Sequence, residues 1–335
     1  MHVLAAPDKF KGTATSTEVA HAIVRAARGL GIEASAVALS DGGDGLLEVF
    51  GGPNRVTSVT GPGGDDVDAG WRIDDDVAVI ESALASGLVL AGGASGNDAV
   101  VATSRGTGEL IEAAVTAGAR RIVVGLGGSA CTDGGLGALD ALSSPTIAAI
   151  GTSAVELVVC CDVRTPYLDA AVVYGPQKGA SAEQIEDLSD RLATARDTLR
   201  ARFDVDVTRL VGGGAAGGLA GGLAAVGGRL RPGFEVVAER VGFGRLLDAA
   251  TLVVTGEGLL DETSFDGKVV GAVATCAHQR GVPVLAVVGD VATGYAPALE
   301  VVSLVERFGR PAAIGGVLIC VEDATVELLS RRRWA

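Results

Sequence analysis

Aromatic residues are scarce in this chain. Phe, Trp and Tyr together make up 4% of its 335 residues, whereas apolar residues make up 48% and glycine occurs 50 times. A core with so few rings must consist mainly of Val, Leu, Ile and Ala, and the many glycines indicate many tight turns. This composition favours an α/β protein over a β-sandwich, and the length is sufficient for two domains.

Long apolar runs and clustered cations are also missing. No stretch of 18 residues is free of both glycine and charge, so no transmembrane helix is predicted. The net charge of −14 argues against binding to nucleic acid or to an anionic membrane, because both attract clustered Lys and Arg. The amino terminus shows neither a basic region nor a cleavage site of the kind that directs export.

Cysteine and histidine are few. The five cysteines are odd in number and match no zinc-binding pattern, which indicates reduced thiols in a cytoplasmic protein. The three histidines, His2, His21 and His278, are far apart in the chain and belong to no motif. This scattering argues against a Ser-His-Asp catalytic arrangement.

Lysine is rare too, with four residues against 23 Arg. Three of the four, Lys11, Lys178 and Lys268, adjoin a glycine. An ammonium group is a compact charge suited to phosphate, and glycine lets the backbone approach an anion closely. The pattern therefore indicates that lysine occurs where an ammonium group is needed, although chance in composition is the alternative.

Strand and helix patterns alternate at both ends of the chain. Val3–Pro7 is typical of a buried strand, Ser16–Arg28 of an amphipathic helix, and Ala34–Leu39 of a second strand. Short antiparallel strands separated by turns are predicted from about Val56 onward. A strand, loop and helix pattern returns at Thr251.

We therefore predict an open, mostly parallel, Rossmann-like α/β domain formed by both chain ends, residues 1–55 and 240–335. An α+β domain, residues 56–239, is inserted between them. The active site is expected in the cleft between the domains, because ligands bind at the carboxyl ends of strands in such sheets. Near the carboxyl terminus, Pro311–Cys320 is predicted as an apolar strand.

Two loops near the amino terminus carry acids and ammonium groups. Lys9 and Lys11 lie just before a predicted helix, whose positive end favours a phosphate or carboxylate. Asp41 and Asp44 are crowded among three glycines. These two acids are candidates for Mg²⁺ coordination through water or for hydrogen bonds to substrate hydroxyls, and a simple turn with an Asp cap is the alternative.

A glycine-rich loop follows the strand predicted at Arg121–Leu126. Its Gly128 and Ser129 could bind an anion through backbone N–H groups and a hydroxyl. Asp133, in the same loop, is a candidate base for a hydroxyl proton. The loop is neither a dinucleotide fingerprint nor a Walker A motif, so its spacing alone leaves phosphate binding undecided.

Further along, acids again follow predicted strands. Asp162 ends one strand, and Lys178 is presented by a Gly-Pro-Gln-Lys-Gly turn. Glu257 and Asp261 lie four residues apart beyond another strand, with Lys268 shortly after them. Phosphoryl transfer requires this mixture of metal ligands, cations near the transferred group, and a base near the acceptor.

These loops resemble the motifs of the class I glycerate kinases. The matching segments occur in the family's order between about residues 3 and 310, and they are Ala6–Gly12, Asp41–Gly45, Gly127–Gly135, Cys161–Val163, Tyr174–Gly179, Gly214–Leu219, Leu230–Gly233 and Thr255–Asp261. Asp44 stands where the family usually has Glu. The resemblance implies a two-domain kinase that uses ATP and Mg²⁺ to phosphorylate D-glycerate, with 2-phosphoglycerate as the usual product.

The roles that we assign to individual residues are hypotheses from their chemistry. The predicted catalytic residues are Asp133, Asp41 and Lys9, with either Asp133 or Asp41 as the base that accepts the proton of the acceptor hydroxyl. The predicted substrate- and phosphate-binding residues are Lys11, Asp44, Gly128, Ser129, Lys178 and Lys268. The predicted metal ligands are Asp162, Glu257 and Asp261. A homodimer is compatible with the sequence.

Two other functions are compatible with these motifs. The first is a kinase of the same family that acts on another small hydroxy acid. The second is a sensor without catalytic activity that binds a nucleotide or a sugar acid, although the intact carboxylates in five of the eight matching segments argue against it. The segment from Ala138 to Val158 is shorter than in the family, and this difference could alter the domain interface.

Overall fold

The computed structural model describes residues 1–265 and 267–331. Its strands are β1 (His2–Ala5), β2 (Glu33–Ala36), β3 (Arg55–Thr60), β4 (Asp66–Asp74), β5 (Val77–Glu81), β6 (Arg121–Gly125), β7 (Glu156–Cys160), β8 (Arg229–Arg231), β9 (Leu252–Thr255), β10 (Leu259–Leu260), β11 (Val284–Val288), β12 (Asp290–Val291) and β13 (Glu300–Ser303).

The α-helices are mostly short. They are α1 (Ser16–Gly29), α2 (Leu46–Val49), α3 (Ala83–Ser86), α4 (Arg105–Thr116), α5 (Leu136–Ala141), α6 (Ser144–Gly151), α7 (Ala170–Tyr174), α8 (Ala182–Phe203), α9 (Leu219–Ala225), α10 (Gly233–Val241), α11 (Phe243–Asp248), α12 (Val269–His278), α13 (Leu304–Phe308), α14 (Arg310–Gly315) and α15 (Val317–Arg331). Single 3₁₀ turns are formed by Tyr167–Asp169, Pro176–Lys178, Val207–Arg209, Ala215–Gly218 and Glu262–Phe265.

The chain divides into two compact units. The first contains residues 1–41 and the chain from Phe234 onward, and the second contains Gly42–Gly233. The sequence prediction set these boundaries at residues 55 and 240. The segment after Asp41 belongs to the second unit because α2 attaches to β5, where the backbone N–H of Leu47 donates to Glu81 Oε1 at 2.6 Å.

The first unit is built on a parallel sheet with the strand order β13-β11-β9-β1-β2. All four pairings are parallel, and Val3, Leu4 and Ala5 of β1, which lies between β9 and β2, are completely buried. Helix α1 begins with a capping box, in which Thr15 and Glu18 satisfy each other's backbone N–H groups. The predicted open parallel sheet, formed by both chain ends, is confirmed.

The second unit has a six-stranded sheet with the order β3-β4-β5-β6-β7-β8. The pairings from β3 to β5 are antiparallel, and those from β5 to β8 are parallel. This is the mixed architecture predicted for the inserted segment. The loops that follow β5, β6 and β7 leave the sheet at the same edge, because neighbouring parallel strands end together.

The strand predicted at Pro311–Cys320 is wrong. The segment forms α14 and the start of α15, and α15 packs against α1 with Val317, Cys320, Val321 and Ala324 buried. This spacing of three to four residues is helical, and a short apolar run alone does not distinguish a buried strand from a buried helix. No helix among the described residues is long and apolar enough to cross a membrane.

Candidate active site

Acids and a lysine lie together after β1 and β2 in the first unit. Lys9 Nζ is 3.6 Å from Asp8 Oδ1 and 3.7 Å from Asp41 Oδ1. Asp8 also accepts a hydrogen bond from the backbone N–H of Lys9 at 2.7 Å. The structure thus brings together Lys9 and Asp41, two predicted catalytic residues that are 32 positions apart in the chain, because β1 and β2 are parallel neighbours.

Asp8 is the most buried member of this group. Burial raises its pKa to about 6, and the negative charge of Asp41 acts in the same direction, while Lys9 opposes both effects. A backbone bond from the N–H of Asp8 to the carbonyl of Gly256, at 2.8 Å, links this loop to the loop after β9. The two loops therefore form one acidic group.

Glu257 follows β9 and is 8% exposed. Burial raises the pKa of its carboxyl group to about 7, and the charges of Asp8 and Asp261 act in the same direction, against a hydrogen bond from Ser264 and the charge of Lys268. Its Oε1 atom is buried and has no hydrogen-bond partner among the described residues. An unsatisfied buried oxygen of this kind suits a ligand that donates a proton or a positive charge.

Asp261 has a structural task as well. Its Oδ1 accepts from the backbone N–H and the hydroxyl of Thr263, at 2.8 and 2.6 Å, and so caps the 3₁₀ turn that follows. The hydrogen bond from Thr263 lowers the pKa of Asp261. Lys268 donates from Nζ to Thr263 Oγ1 at 2.7 Å, whereas Lys11 has an exposed side chain.

The three predicted metal ligands are divided between the two units of the chain. Glu257 and Asp261 belong to the first unit and Asp162 to the second. Within residues 1–265 and 267–331, no group of three or more His, Cys, Asp or Glu side chains is arranged to hold a metal ion. A metal at this site would need ligands from its substrate or from water in addition to the protein.

We expect Glu257→Gln to change the pH dependence of stability. The raised pKa means that the protonated glutamate stabilises the fold fully below about pH 4.5, and this contribution is lost as the pH rises through about 7. Gln resembles the protonated form, so the variant should exceed the wild type in free energy of unfolding by about 3 kcal/mol at pH 8.5 and by little at pH 4.5.

Urea unfolding of both proteins at the two pH values measures this difference. Glu262→Gln, at an exposed position nearby, is the matched control and should show the same difference from wild type at both pH values. An equal effect of Glu257→Gln at pH 4.5 and 8.5 would show that Glu257 is not protonated in the folded protein.

Asp133 lies in the glycine-rich loop of the second unit and is 1% exposed. Its Oδ2 accepts from the backbone N–H and the hydroxyl of Ser104, both at 2.8 Å, and its Oδ1 accepts from the N–H of Gly135 at 3.0 Å. Ser104 precedes α4 directly. Both carboxylate oxygens of Asp133 therefore accept hydrogen bonds from the protein, and the side chain connects the glycine-rich loop to the start of α4.

Lys178 is 3% exposed, which is rare for a lysine. Its Nζ donates to the carbonyl oxygen of Cys131 at 2.6 Å. Burial lowers the pKa of this lysine, while Cys131 and the carboxylate of Asp133 act in the opposite direction. An ammonium group can donate three hydrogen bonds, so the group still has donors for an anion at the glycine-rich loop.

The glycine-rich loop is held closely on several sides. An ideal Cβ at Gly128 would lie 3.0 Å from Asp44 Oδ1, so the loop packs directly against the Asp44 side chain. Ser129 is buried, and its hydroxyl lies 3.2 Å from the sulfur of Cys131. Thr132 Oγ1 is buried without a hydrogen-bond partner in the part of the chain that the structure describes.

Asp162 follows β7, as predicted, and is partly exposed. Its negative charge contributes to the raised pKa of Tyr174, although burial is the larger cause. Of the predicted residues, the second unit thus contains Asp44, Gly128, Ser129, Asp133, Asp162 and Lys178, and the first unit contains Lys9, Lys11, Asp41, Glu257, Asp261 and Lys268.

Comparison with known proteins identifies the family. A model described as the glycerate kinase family matches residues 3–154 and 147–309. A glycerate 2-kinase from Escherichia coli K12 is 36% identical over 327 residues, which cover 87% of this chain and 86% of the relative. The chain belongs to the glycerate kinase family.

Other relatives agree with this membership of the glycerate kinase family. An uncharacterized protein from Mycobacterium bovis is 40% identical over 340 residues, which cover 98% of this chain and 89% of that protein. A crystal structure named as that of glycerate kinase 2 from Salmonella typhimurium LT2 aligns with a TM-score of 0.79, at 32% identity and with complete coverage of both chains. This member of the glycerate kinase family is therefore a kinase.

Sequence reasoning missed two polar residues at the candidate site. Asn97 donates from Nδ2 to the carbonyl oxygens of Ala130, at 3.2 Å, and of Lys178, at 2.8 Å. Ser104 holds Asp133 as described above. Both residues lie in segments without a distinctive pattern, and only contacts to residues some 30 to 80 positions away reveal them.

We expect Gly217→Ala to disrupt the glycine-rich loop of this glycerate kinase family member. Gly217 has φ +68°, and an ideal Cβ there would lie 2.0 Å from the carbonyl oxygen of Cys131, which also accepts from Lys178. The variant should lose about 3 kcal/mol or more of unfolding free energy, because the strained φ and the steric clash add.

Gly281→Ala is the matched control, since Gly281 also has φ +68° but no atom within 4 Å of its ideal Cβ. Gly281→Ala should lose only the unfolding free energy that the strained φ costs, about 1 kcal/mol. Thermal or urea unfolding of the two variants measures the difference, and equal losses would show that Gly217 does not need to approach Cys131 so closely.

Proposed function

We propose that this kinase transfers the γ-phosphoryl group of ATP to D-glycerate and forms 2-phosphoglycerate. The observation that carries the proposal is the 36% identity over most of the chain to a glycerate 2-kinase from E. coli. Relatives named glycerate kinase in Halalkalibacterium halodurans and Bacillus subtilis, each 35% identical, support the same acceptor.

The glycine-rich loop is proposed to hold phosphate groups of the nucleotide. Lys178 supplies a buried ammonium group there, and its charge is stronger toward an anion because water is excluded around it. Backbone N–H groups of the loop near Gly128 and the hydroxyl of Ser129 add neutral donors. These contacts would stabilise the negative charge that spreads over the transferred group.

Asp41 is proposed to accept the hydroxyl proton of the acceptor. Of the two bases suggested from sequence, Asp133 already accepts from Ser104 and Gly135 with both oxygens, so it is better suited to positioning the loop. Asp41 has a side chain that is 18% exposed and lies beside Lys9, which would hold the carboxylate of the acceptor or a phosphate oxygen. Lys11 and Lys268 add positive charge in the same unit.

Mg²⁺ fits the acidic group after β9. Among the predicted ligands, Glu257 is the best suited, because its Oε1 is buried and lacks a partner among the described residues, and Asp261 lies close enough to affect its pKa. Mg²⁺ is commonly bound by one or two carboxylates together with substrate phosphates and water. The ion would neutralise charge on the phosphates.

A coupled assay tests the proposed function. Incubation with ATP, Mg²⁺ and D-glycerate should release ADP only when D-glycerate is present, and phosphorus NMR should identify the product as the 2-phosphate. We expect kcat/KM to be lower for L-glycerate and for glycolate. Phosphorylation of another hydroxy acid in preference to D-glycerate, or the absence of any acceptor-dependent turnover, would contradict the proposal.

We also propose that the protein works in the cytoplasm, a reducing compartment. All five cysteines are free thiols.

A further inference from the structure

A cavity in the second unit is lined by none of the predicted site residues. Its volume is about 310 Å³, which is the size of a small-ligand site. The turn between β3 and β4 forms one wall, with Pro62 and Val67, and the segment before α4 forms the other, with Leu90, Asn97 and Val101.

The lining of this cavity excludes an anion. It includes no Lys, Arg or His, and it contains two carboxylates, Asp65 and Asp98. Asp98 Oδ1 accepts from the backbone N–H groups of Val100 and Val101, at 3.1 and 3.2 Å, and Oδ2 makes no hydrogen bond to a described residue. Neither glycerate nor a phosphate group suits such a wall.

The apolar part of the lining is suited to a flat ring. Leu90 and Val101 line the cavity and are 45% and 59% exposed, so their apolar surface is accessible to a ligand. A ring covered by these side chains and carrying an amino group could donate to the free oxygen of Asp98. The cavity therefore combines apolar contact with hydrogen-bond acceptors, as a nucleobase site requires.

Asn97 connects this cavity to the glycine-rich loop. It lines the cavity, and its Nδ2 donates to the carbonyl oxygens of Ala130 and Lys178. Ala130 belongs to the loop itself, and Lys178 carries the buried ammonium group that faces this loop. A ligand in the cavity would thus be separated from the proposed phosphate site by one side chain.

We propose that this cavity binds the adenine ring of the nucleotide. The inference rests on the proposed use of ATP and adds the location of the base to it. Asp98 accepts a hydrogen bond from the exocyclic amino group of adenine, while Leu90 and Val101 cover the ring. Guanine has a carbonyl oxygen at the equivalent position and is rejected, because two acceptors would face each other.

The first test removes the apolar contacts. Leu90→Ser combined with Val101→Ser should raise KM for ATP about tenfold and leave KM for D-glycerate within twofold of wild type. Val56→Ser combined with Ile319→Ser is the matched control, since both side chains are exposed, at 67% and 69%, and lie outside the cavity. An unchanged KM for ATP, or a KM for D-glycerate that rises instead, would overturn the inference.

The second test concerns the choice of base. Asp98→Asn retains an oxygen for the N–H groups of Val100 and Val101 and replaces the other oxygen with a donor. The ratio of kcat/KM for ATP to that for GTP should fall about tenfold. Asp66→Asn, at an exposed carboxylate outside the lining, should leave the ratio unchanged. An unchanged ratio in Asp98→Asn would contradict the role of Asp98.

Direct binding separates this inference from the proposed function. Calorimetric titration with adenosine, which has no phosphate, should show binding to the wild type and a roughly tenfold weaker affinity in the Leu90→Ser, Val101→Ser variant. This result would support the adenine site even if D-glycerate were not phosphorylated. Conversely, active phosphorylation of D-glycerate with equal adenosine affinity in both proteins would overturn the adenine site and leave the proposed function intact.

Discussion

We expect Lys178→Met to lower kcat about a thousandfold. The side chain of Lys178 is 3% exposed and reaches the carbonyl of Cys131 in the glycine-rich loop. Met fills a similar volume but would supply no charge to a phosphoryl group at the proposed phosphate site. The loss of one preorganised donor in a site that excludes water commonly costs a factor of 10² to 10³, and here a full charge is lost as well.

We expect Lys178→Met to lose activity without losing stability. Burial lowers the pKa of Lys178, which means that the fold disfavours the charge that the side chain carries. Removal of that charge offsets the loss of the hydrogen bond to Cys131, so the melting temperature of Lys178→Met should not fall below that of the wild type. Steady-state kinetics and calorimetry together test the two parts.

Gln177→Met is the matched control, because Gln177 is exposed in the same turn. We expect it to retain wild-type turnover. If Lys178→Met kept near-normal turnover, the proposed phosphate site would be wrong. If it lost both turnover and several degrees of melting temperature, Lys178 would instead be needed to hold the loop together.

The second large effect concerns Asp133→Asn, which should destabilise the second unit by about 3–4 kcal/mol. The carboxylate accepts from Ser104 with Oδ2 and from Gly135 with Oδ1. An amide offers one acceptor and turns a donor toward N–H or O–H groups that are already donors. Hydrogen bonds to a charged acceptor contribute about 1.5–3 kcal/mol each, so the variant loses stability when one of the two oxygens of Asp133 no longer accepts its hydrogen bonds.

Urea unfolding measures this loss, and kinetics at a temperature where the variant is folded measures the effect on turnover. Asp140→Asn is the control, because Asp140 is 60% exposed and pairs with Arg202 at the surface, so it should change stability by less than about 1 kcal/mol. A stable Asp133→Asn variant with severely reduced kcat would restore Asp133 as the base suggested from sequence.

Much of the fold could be predicted from local patterns. The parallel sheet formed by both chain ends follows from the β-α-β pattern at Val3 and Thr251. The same parallel arrangement explains why Lys9 and Asp41 form an ion pair, with 3.7 Å between Nζ and Oδ1. The two residues follow β1 and β2, which are neighbouring strands. The helices near Pro311 were predicted as a strand because the sequence does not show which apolar residues are buried. The helical spacing of those residues becomes visible only where α15 packs against α1.

The candidate site was less predictable. The sequence indicated which loops carry acids and lysines, but it treated Asp133 and Asp41 as equivalent candidates for a base. The hydrogen bonds that both oxygens of Asp133 accept from Ser104 and Gly135 are the reason why we propose Asp41 instead. No sequence pattern indicated Asn97, because its side chain donates to two carbonyl groups that are distant in the chain, one of them 81 positions away.

The sequence by itself determined the family, the strands and helices with strong local patterns, and the loops in which lysine and carboxylates occur. Only the tertiary structure decided that Lys178 is buried, that Glu257 has a pKa of about 7 and that Asp133 is held on both oxygens. The reason is physical: a local pattern depends on neighbours in the chain, whereas desolvation and hydrogen bonding depend on groups that only folding brings together.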